Sequence, residues 1–82
     1  MNLAVIFNEE EAELFIQEKI ECDKVLCFCP SSKFILDNSG FNTLSSFDLY
    51  RSLSHAKTVV SIDKELGSII SQASSYYSFN ED

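Results

Sequence analysis

Three cysteines lie close together in the chain, at positions 22, 27 and 29. Thiolates bind zinc, but a structural zinc site needs four ligands, and the single histidine, His55, lies far along the sequence. Cys27 and Cys29 are two positions apart at the end of an apolar run, so on a strand they point to the same face and pack as small hydrophobes. The spacing favours core residues over a metal site, and three clustered cysteines favour a reducing compartment over a disulfide framework.

Motifs for catalysis and for cofactors are missing from the chain. A phosphatase-type loop needs an arginine shortly after its cysteine, whereas the only arginine, Arg51, is distant from Cys29. No glycine precedes Gly40, so neither a Walker loop nor a dinucleotide fingerprint is present. His55 has no serine or aspartate at a motif spacing, which favours a helix-end histidine over a catalytic base. We therefore expect no cofactor and name no catalytic residue.

Polar residues follow directly on three predicted strands, and they are the candidate ligand-binding residues: Asn8, Ser31, Ser32, Lys33 and Asp63. In an open parallel sheet such positions gather at the carboxyl edge, where ligands bind. Helix N-termini there offer backbone N–H groups, to which Lys33 adds positive charge. The same residue types cap helices, so capping alone and ligand binding both remain open.

The first half of the chain predicts a strand-helix-strand unit. A continuous apolar run predicts a buried strand at 3–7, and Asn8 with three following glutamates predicts the start of a helix over 9–21. A second apolar run predicts a strand over 24–29, ended by Pro30. A parallel pairing with a right-handed connection is the default for such a unit.

The second half is less regular. Ser31 or Ser32 is the predicted cap of a short helix that ends at Gly40, in the left-handed position after the helix. A Ser-capped helix over 46–56, a strand over 57–62 and a helix over 63–77 behind Asp63 follow, although one long helix over 46–77 is an alternative. The stretch 41–44 is too short to assign, and the tail 74–82 has no period.

The composition predicts one domain over residues 1–82. Hydrophobic residues make up 45% of the chain, enough for one core. The fold class that the element order indicates is a small three-layer Rossmann-like α/β domain with a parallel sheet of three to four strands flanked by helices. A net charge of -7 argues against nucleic acid as a partner. Without a signal peptide or membrane-length apolar run, we expect a cytoplasmic protein that does not bind membranes.

The stretch VLCFCPSSKFILDNSGFNTLSSFDLY resembles the N-terminal Rossmann-like segment of bacterial surface-polysaccharide glycosyltransferases of the GT-B type. The likeness lies in the order of strand, Pro-Ser turn, short helix ending in Gly40, and Ser-capped helix with Asp48 and Tyr50, and it covers residues 3 to about 56. The resemblance implies a lobe that mainly holds the acceptor, while the nucleotide-sugar lies largely on a C-terminal lobe. It further implies a fragment or a stand-alone half of such a protein.

Two functions follow as hypotheses. The first is a non-catalytic or half-site Rossmann-like domain that binds a small polar ligand at the carboxyl edge, or docks to a second domain. The second is an acidic protein-interaction module or inhibitor that acts on a partner protein. The exposed edge of so small a sheet also predicts homodimerisation.

Overall fold

The computed structural model describes residues 1–70 and residue 72, and it contains one parallel sheet. Its strands are ordered β3-β2-β1-β4, with β1 at Asn2–Ile6, β2 at Lys24–Cys27, β3 at Thr43–Ser45 and β4 at Thr58–Ser61. The connections contain helices α1 (Glu9–Gln17), α2 (Pro30–Asn38) and α3 (Leu49–His55), with a 3-10 turn at Ser46–Asp48 directly before α3. The predicted small Rossmann-like α/β fold is confirmed.

Strand β1 is the centre of the molecule, because it pairs with β2 on one side and with β4 on the other. Leu3, Ala4, Val5 and Ile6 are completely buried. Their alternation divides the core into two layers. Ala4 and Ile6 pack with α1 and α2, whereas Leu3 and Val5 pack with Leu53 of α3 on the opposite face. The sheet is thus covered on both faces, as parallel sheets are.

The predicted strand over 57–62 is present as β4, at Thr58–Ser61, and is not part of a long helix. Thr58, Val59, Val60 and Ser61 pair in register with the first four residues of β1. The alternative of one helix over 46–77 is therefore wrong. The β-branched run suits a pleated surface, and the free side of β1 provides the hydrogen-bonding partner that decides between the two structures.

Helix α1 ends four residues earlier than predicted, at Gln17. Lys19 adopts a left-handed conformation with φ of 53°, its N–H bonds the carbonyl of Ile16, and the Ile20 N–H bonds the carbonyl of Phe15. This is the hydrogen-bond pattern of a Schellman motif. Ile20 reaches the core from beyond the helix end, which is why its spacing looked helical.

Helix α2 ends in the same way, and here the prediction for Gly40 is confirmed. Gly40 has φ of 88°, its N–H bonds the carbonyl of Asp37, and the Phe41 N–H bonds the carbonyl of Leu36. Phe41 then packs edge-on against Phe15, with 5.2 Å between ring centroids. The two helix ends therefore return the chain to the same core layer.

After β4 the chain begins another helix, and residues 64–70 are helical. Asp63 caps it as predicted, since its Oδ1 accepts a hydrogen bond from the Leu66 N–H at 3.1 Å. Residue 71 and the tail from 73 to 82 lie outside the described residues, and so does the predicted end of this helix at 77. Among residues 1–70, no helix is both long enough and apolar enough to cross a membrane.

Candidate functional site at the carboxyl edge of the sheet

The carboxyl ends of all four strands lie at one edge, because the sheet is parallel throughout. The strand order reverses between β1 and β4, since the chain builds β2 and β3 on one side of β1 and then returns to the other side. Ligands of open α/β sheets bind outside the carboxyl ends at such a reversal. Asn8 and Asp63 border this point, and the turn containing Ser31, Ser32 and Lys33 is one strand away.

Asn8 forms a closed capping box with Glu11. The Asn8 Oδ1 accepts a hydrogen bond from the Glu11 N–H at 2.9 Å, and its Nδ2 donates to Glu11 Oε2 at 3.3 Å. Glu11 Oε1 in turn accepts from the Phe7 N–H at 3.1 Å. These hydrogen bonds occupy both polar atoms of the Asn8 side-chain amide. They also occupy the backbone N–H groups of Phe7 and Glu11, which an anion at this helix start would need.

Helix α2 begins at Pro30 with Cys29 as its cap, so the prediction that Ser31 or Ser32 caps the helix is wrong. Strand β2 stops at Cys27, and Cys29 is therefore not a strand residue sharing a face with it. Proline has no N–H and has the φ of a first helical residue, so the helix starts at once. Cys29 is extended at φ of -132°, and its Sγ accepts from the Ser32 N–H at 3.4 Å.

The three turn residues that were predicted as ligand contacts have different surroundings. Ser32 is fully buried, and its hydroxyl donates to the Cys29 carbonyl at 2.9 Å. Ser31 is exposed. Lys33 Nζ lies 3.0 Å from both Asp37 Oδ2 and Thr43 Oγ1, so its positive charge is paired. Of the three, only Ser31 presents an accessible polar side chain without an ion-pair partner.

A small hollow of about 180 Å³ lies between the turn after β2 and the turn after β3; we call it the carboxyl-edge hollow. Its wall is mostly apolar and consists of Cys27, Phe28, Cys29, Pro30, Lys33, Ser45, Ser46 and Phe47. Beneath it Phe28 stacks on Phe7, with 5.0 Å between the ring centroids. At its mouth Phe47 is 97% exposed, which is unusual for so large an apolar side chain.

The two thiols of the hollow differ in chemistry. Burial raises the pKa of the Cys27 thiol to about 11. Partial burial is also the largest effect on Cys29 and raises its pKa. Hydrogen bonds of the Cys29 Sγ with the hydroxyls of Ser31 and Ser32 and with the Ser32 N–H outweigh that effect and bring the Cys29 pKa below its ordinary value. Cys29 is therefore the more readily ionised thiol.

Within residues 1–70, no group of three or more His, Cys, Asp and Glu side chains is placed to hold a metal ion. The sequence reasoning missed Cys29 as a helix cap and Phe47 as an exposed side chain. The Pro30 that follows Cys29 was the available signal for the cap. Nothing in the sequence separates the exposed Phe47 from its apolar neighbours.

No family model, curated protein or solved structure matches the chain.

Proposed function

We propose that the chain is a Rossmann-like half-domain that binds a small polar ligand at the carboxyl edge, in the manner of the acceptor lobe that it resembles in surface-polysaccharide glycosyltransferases. The observation that carries the proposal is the parallel sheet with order β3-β2-β1-β4, because its reversal between β1 and β4 creates the crevice that such sheets use for ligands. The carboxyl-edge hollow is a concave part of the same edge, one strand away from the reversal, between the turns after β2 and β3.

The charge of the edge favours a neutral, hydroxyl-rich ligand such as a glycan over a nucleotide-sugar. Three glutamates occupy the first turn of α1, and the negative charge of Glu9 acts on the Cys29 thiol across the edge. Lys33, the cation of the hollow, is paired with Asp37. Phosphate groups would meet repulsion here, whereas a sugar ring can stack on an exposed aromatic face and hydrogen-bond to serine hydroxyls.

Titration by ¹H–¹⁵N NMR tests this function. Neutral oligosaccharides are expected to shift the amides of Asn8, Ser31, Lys33, Phe47 and Asp63 saturably, and nucleotide-sugars are expected to shift them less. Phe47→Ala removes the exposed ring and should weaken binding about three- to tenfold. Phe34→Ala is the matched control, because Phe34 is 69% exposed on α2 but does not line the hollow.

Two results would refute the proposal. One is the absence of saturable shifts at the carboxyl edge with any neutral or charged sugar. The other is an equal loss of affinity in Phe34→Ala and Phe47→Ala, which would mean that the ligand adheres to exposed aromatic rings without a site.

A specific observation also favours self-association, through β4. This strand is at the end of the sheet and carries the uncharged residues Thr58 to Ser61, without the lysine or proline that usually protects an edge. The Lys57 N–H donates to the carbonyl of Met1, the residue before β1. Because successive amides of a strand point to opposite sides, the N–H groups of Thr58 and Val60 point away from β1. We propose that a second copy pairs there in antiparallel fashion about a two-fold axis at Val60, which places Lys57 opposite the partner's Asp63.

A further inference from the structure

Three basic residues lie together near the amino edge of the sheet, away from the carboxyl-edge hollow. Lys24 is the first residue of β2, and Arg51 and His55 lie one turn apart on α3. All three line one pocket of about 320 Å³, together with Leu44, Asp48 and Ser52. We call it the amino-edge pocket. Its volume is at the lower end of the range for small-molecule sites.

The basic residues of this pocket stand out against the rest of the chain. Only six Lys and Arg residues balance thirteen acids, yet Lys24 and the single arginine meet at this place. The one ion pair among the described residues joins Lys33 and Asp37, so none of the carboxylates in this part of the chain lies within 4 Å of the charged groups of Lys24 or Arg51. Two unpaired cations around one pocket repel each other, and an anion between them relieves the repulsion.

The walls of the pocket are held by backbone contacts that do not depend on a ligand. Leu44 pairs in register with Leu26 of β2, next to the strand start at Lys24. The amino group of Met1 donates to the His55 carbonyl at 3.0 Å, and Leu53 of the same helix is buried in the core. The backbones that carry the basic side chains are therefore positioned before a ligand arrives, which lowers the entropic cost of binding.

Among the residues that the structure describes, Asp48 is the one acidic residue that lines the pocket, and it opposes an anion. Although it lies one turn before Arg51, the two side chains do not form an ion pair within 4 Å, as the described contacts show. Its carboxylate also makes no capping hydrogen bond to α3. The charge of Asp48 can therefore be removed without the loss of a cap, which makes it a probe of the site.

We propose that the amino-edge pocket binds a small oxyanion, a phosphate or a carboxylate group, between the ammonium of Lys24 and the guanidinium of Arg51. The planar fork of Arg51 suits bidentate contact with two oxygens of such a group, and Lys24 supplies a second, flexible charge. The anion is either free in solution or part of a larger metabolite. This site is separate from the proposed sugar edge, since the amino-edge pocket and the carboxyl-edge hollow share no lining residue among those described.

Titration of the full chain with inorganic phosphate and, in a second arm, with citrate at low ionic strength tests the proposal. Saturable NMR shifts are expected at the amides of Lys24, Leu44, Arg51 and His55 and at the Arg51 side chain. Stronger binding of citrate than of phosphate would assign carboxylate chemistry, and the reverse would assign phosphate chemistry. Either order supports the site, while the absence of saturable shifts in both arms overturns it.

Variants that each remove one positive charge, inside or outside the pocket, distinguish a defined anion site from general attraction of anions to basic residues. Arg51→Gln is expected to weaken phosphate binding about tenfold, since hydrogen bonds to charged groups are strong. Lys64→Gln removes the same charge outside the pocket, beyond the carboxyl end of β4, and should change affinity less than about twofold, because distant exposed charges are screened. Asp48→Asn should tighten binding. Equal weakening by Arg51→Gln and Lys64→Gln, or no gain from Asp48→Asn, would contradict a defined site. Phe47→Ala should leave phosphate binding unchanged, so failure here and failure at the sugar edge are distinguishable.

Discussion

At the scale of single residues, Cys29 shows how a local backbone event changes the chemistry of a side chain. The same thiol would be an inert core group if β2 continued through it, as its apolar neighbours suggest. Because the helix begins at Pro30 instead, the Cys29 Sγ faces the first turn of α2 and accepts a hydrogen bond from the Ser32 N–H. Donors at a helix N-terminus stabilise the thiolate, as they do in reactive cysteines generally.

The pH dependence of alkylation tests this difference between thiols. The Cys29 pKa is lowered, so the rate of its reaction with iodoacetamide should reach half of its maximum below pH 9.0, the ordinary thiol value, and stay constant above that range. The buried Cys27 should react only near pH 11 or on unfolding. Ser31→Ala removes one donor and should shift the Cys29 midpoint to higher pH, whereas Ser39→Ala at the other end of α2 should not. Equal midpoints for the two variants would show that Ser31 does not stabilise the thiolate.

At the scale of elements, the ends of α1 and α2 use the same hydrogen-bond pattern with different residues. Gly40 occupies the left-handed position after α2, where a non-glycine residue is strained, while Lys19 occupies the corresponding position after α1. In each case the next residue, Ile20 or Phe41, packs into the core layer under the helices. The tertiary contact therefore holds Lys19 in a conformation that its side chain disfavours.

Two substitutions at these helix ends should have opposite effects on the free energy of unfolding, measured in urea. Gly40→Ala is expected to destabilise the fold by about 1–2 kcal/mol. An added Cβ at Gly40 meets nothing within 4 Å, so this loss of stability comes from the backbone alone.

Lys19→Gly should stabilise the fold by about 0.5–1 kcal/mol. Lys19→Ala is the control for the lost lysine charge. If Lys19→Gly is no more stable than Lys19→Ala, the helix end is not strained.

At the scale of the whole molecule, β4 is the end strand of the sheet that the described residues form, and the net charge opposes the pairing of two copies there. Each copy carries a charge of -7, so the repulsion between copies is long-ranged and falls with salt. The hydrogen bonds of an antiparallel β4 pair are short-ranged and much less sensitive to salt. Self-association should therefore increase with ionic strength.

Sedimentation equilibrium at low and high salt measures this effect. We expect dimers at high micromolar concentration in high salt and fewer dimers in low salt. Val60→Lys places two like charges on the proposed two-fold axis and should abolish the dimer, while Leu14→Lys makes the same charge change on α1, away from the edge, and should not. A monomer in both salt conditions, or equal effects of the two variants, would exclude pairing through β4.

Much of the fold was predictable because local rules and tertiary structure agree. Asn8 caps α1 where the helix start was predicted, and Gly40 ends α2 in the predicted left-handed conformation. These features depend on residues close in sequence, for which backbone sterics and nearby donors are sufficient. The early end of α1 was not predictable, because Ile20 has the spacing of a helical core residue whether or not the helix reaches it.

The sequence by itself determined the first strand-helix-strand unit, the helix starts at Asn8 and Asp63 and the α/β class, because each follows from local periodicity, capping and backbone preference. Only the tertiary structure decided that the run over 57–62 contains a strand, Thr58–Ser61, because the free side of β1 had to supply its partner. It also decided that Lys24 and Arg51 share one pocket although they are far apart in the chain. Such contacts depend on strand order, and no local pattern records which strands become neighbours.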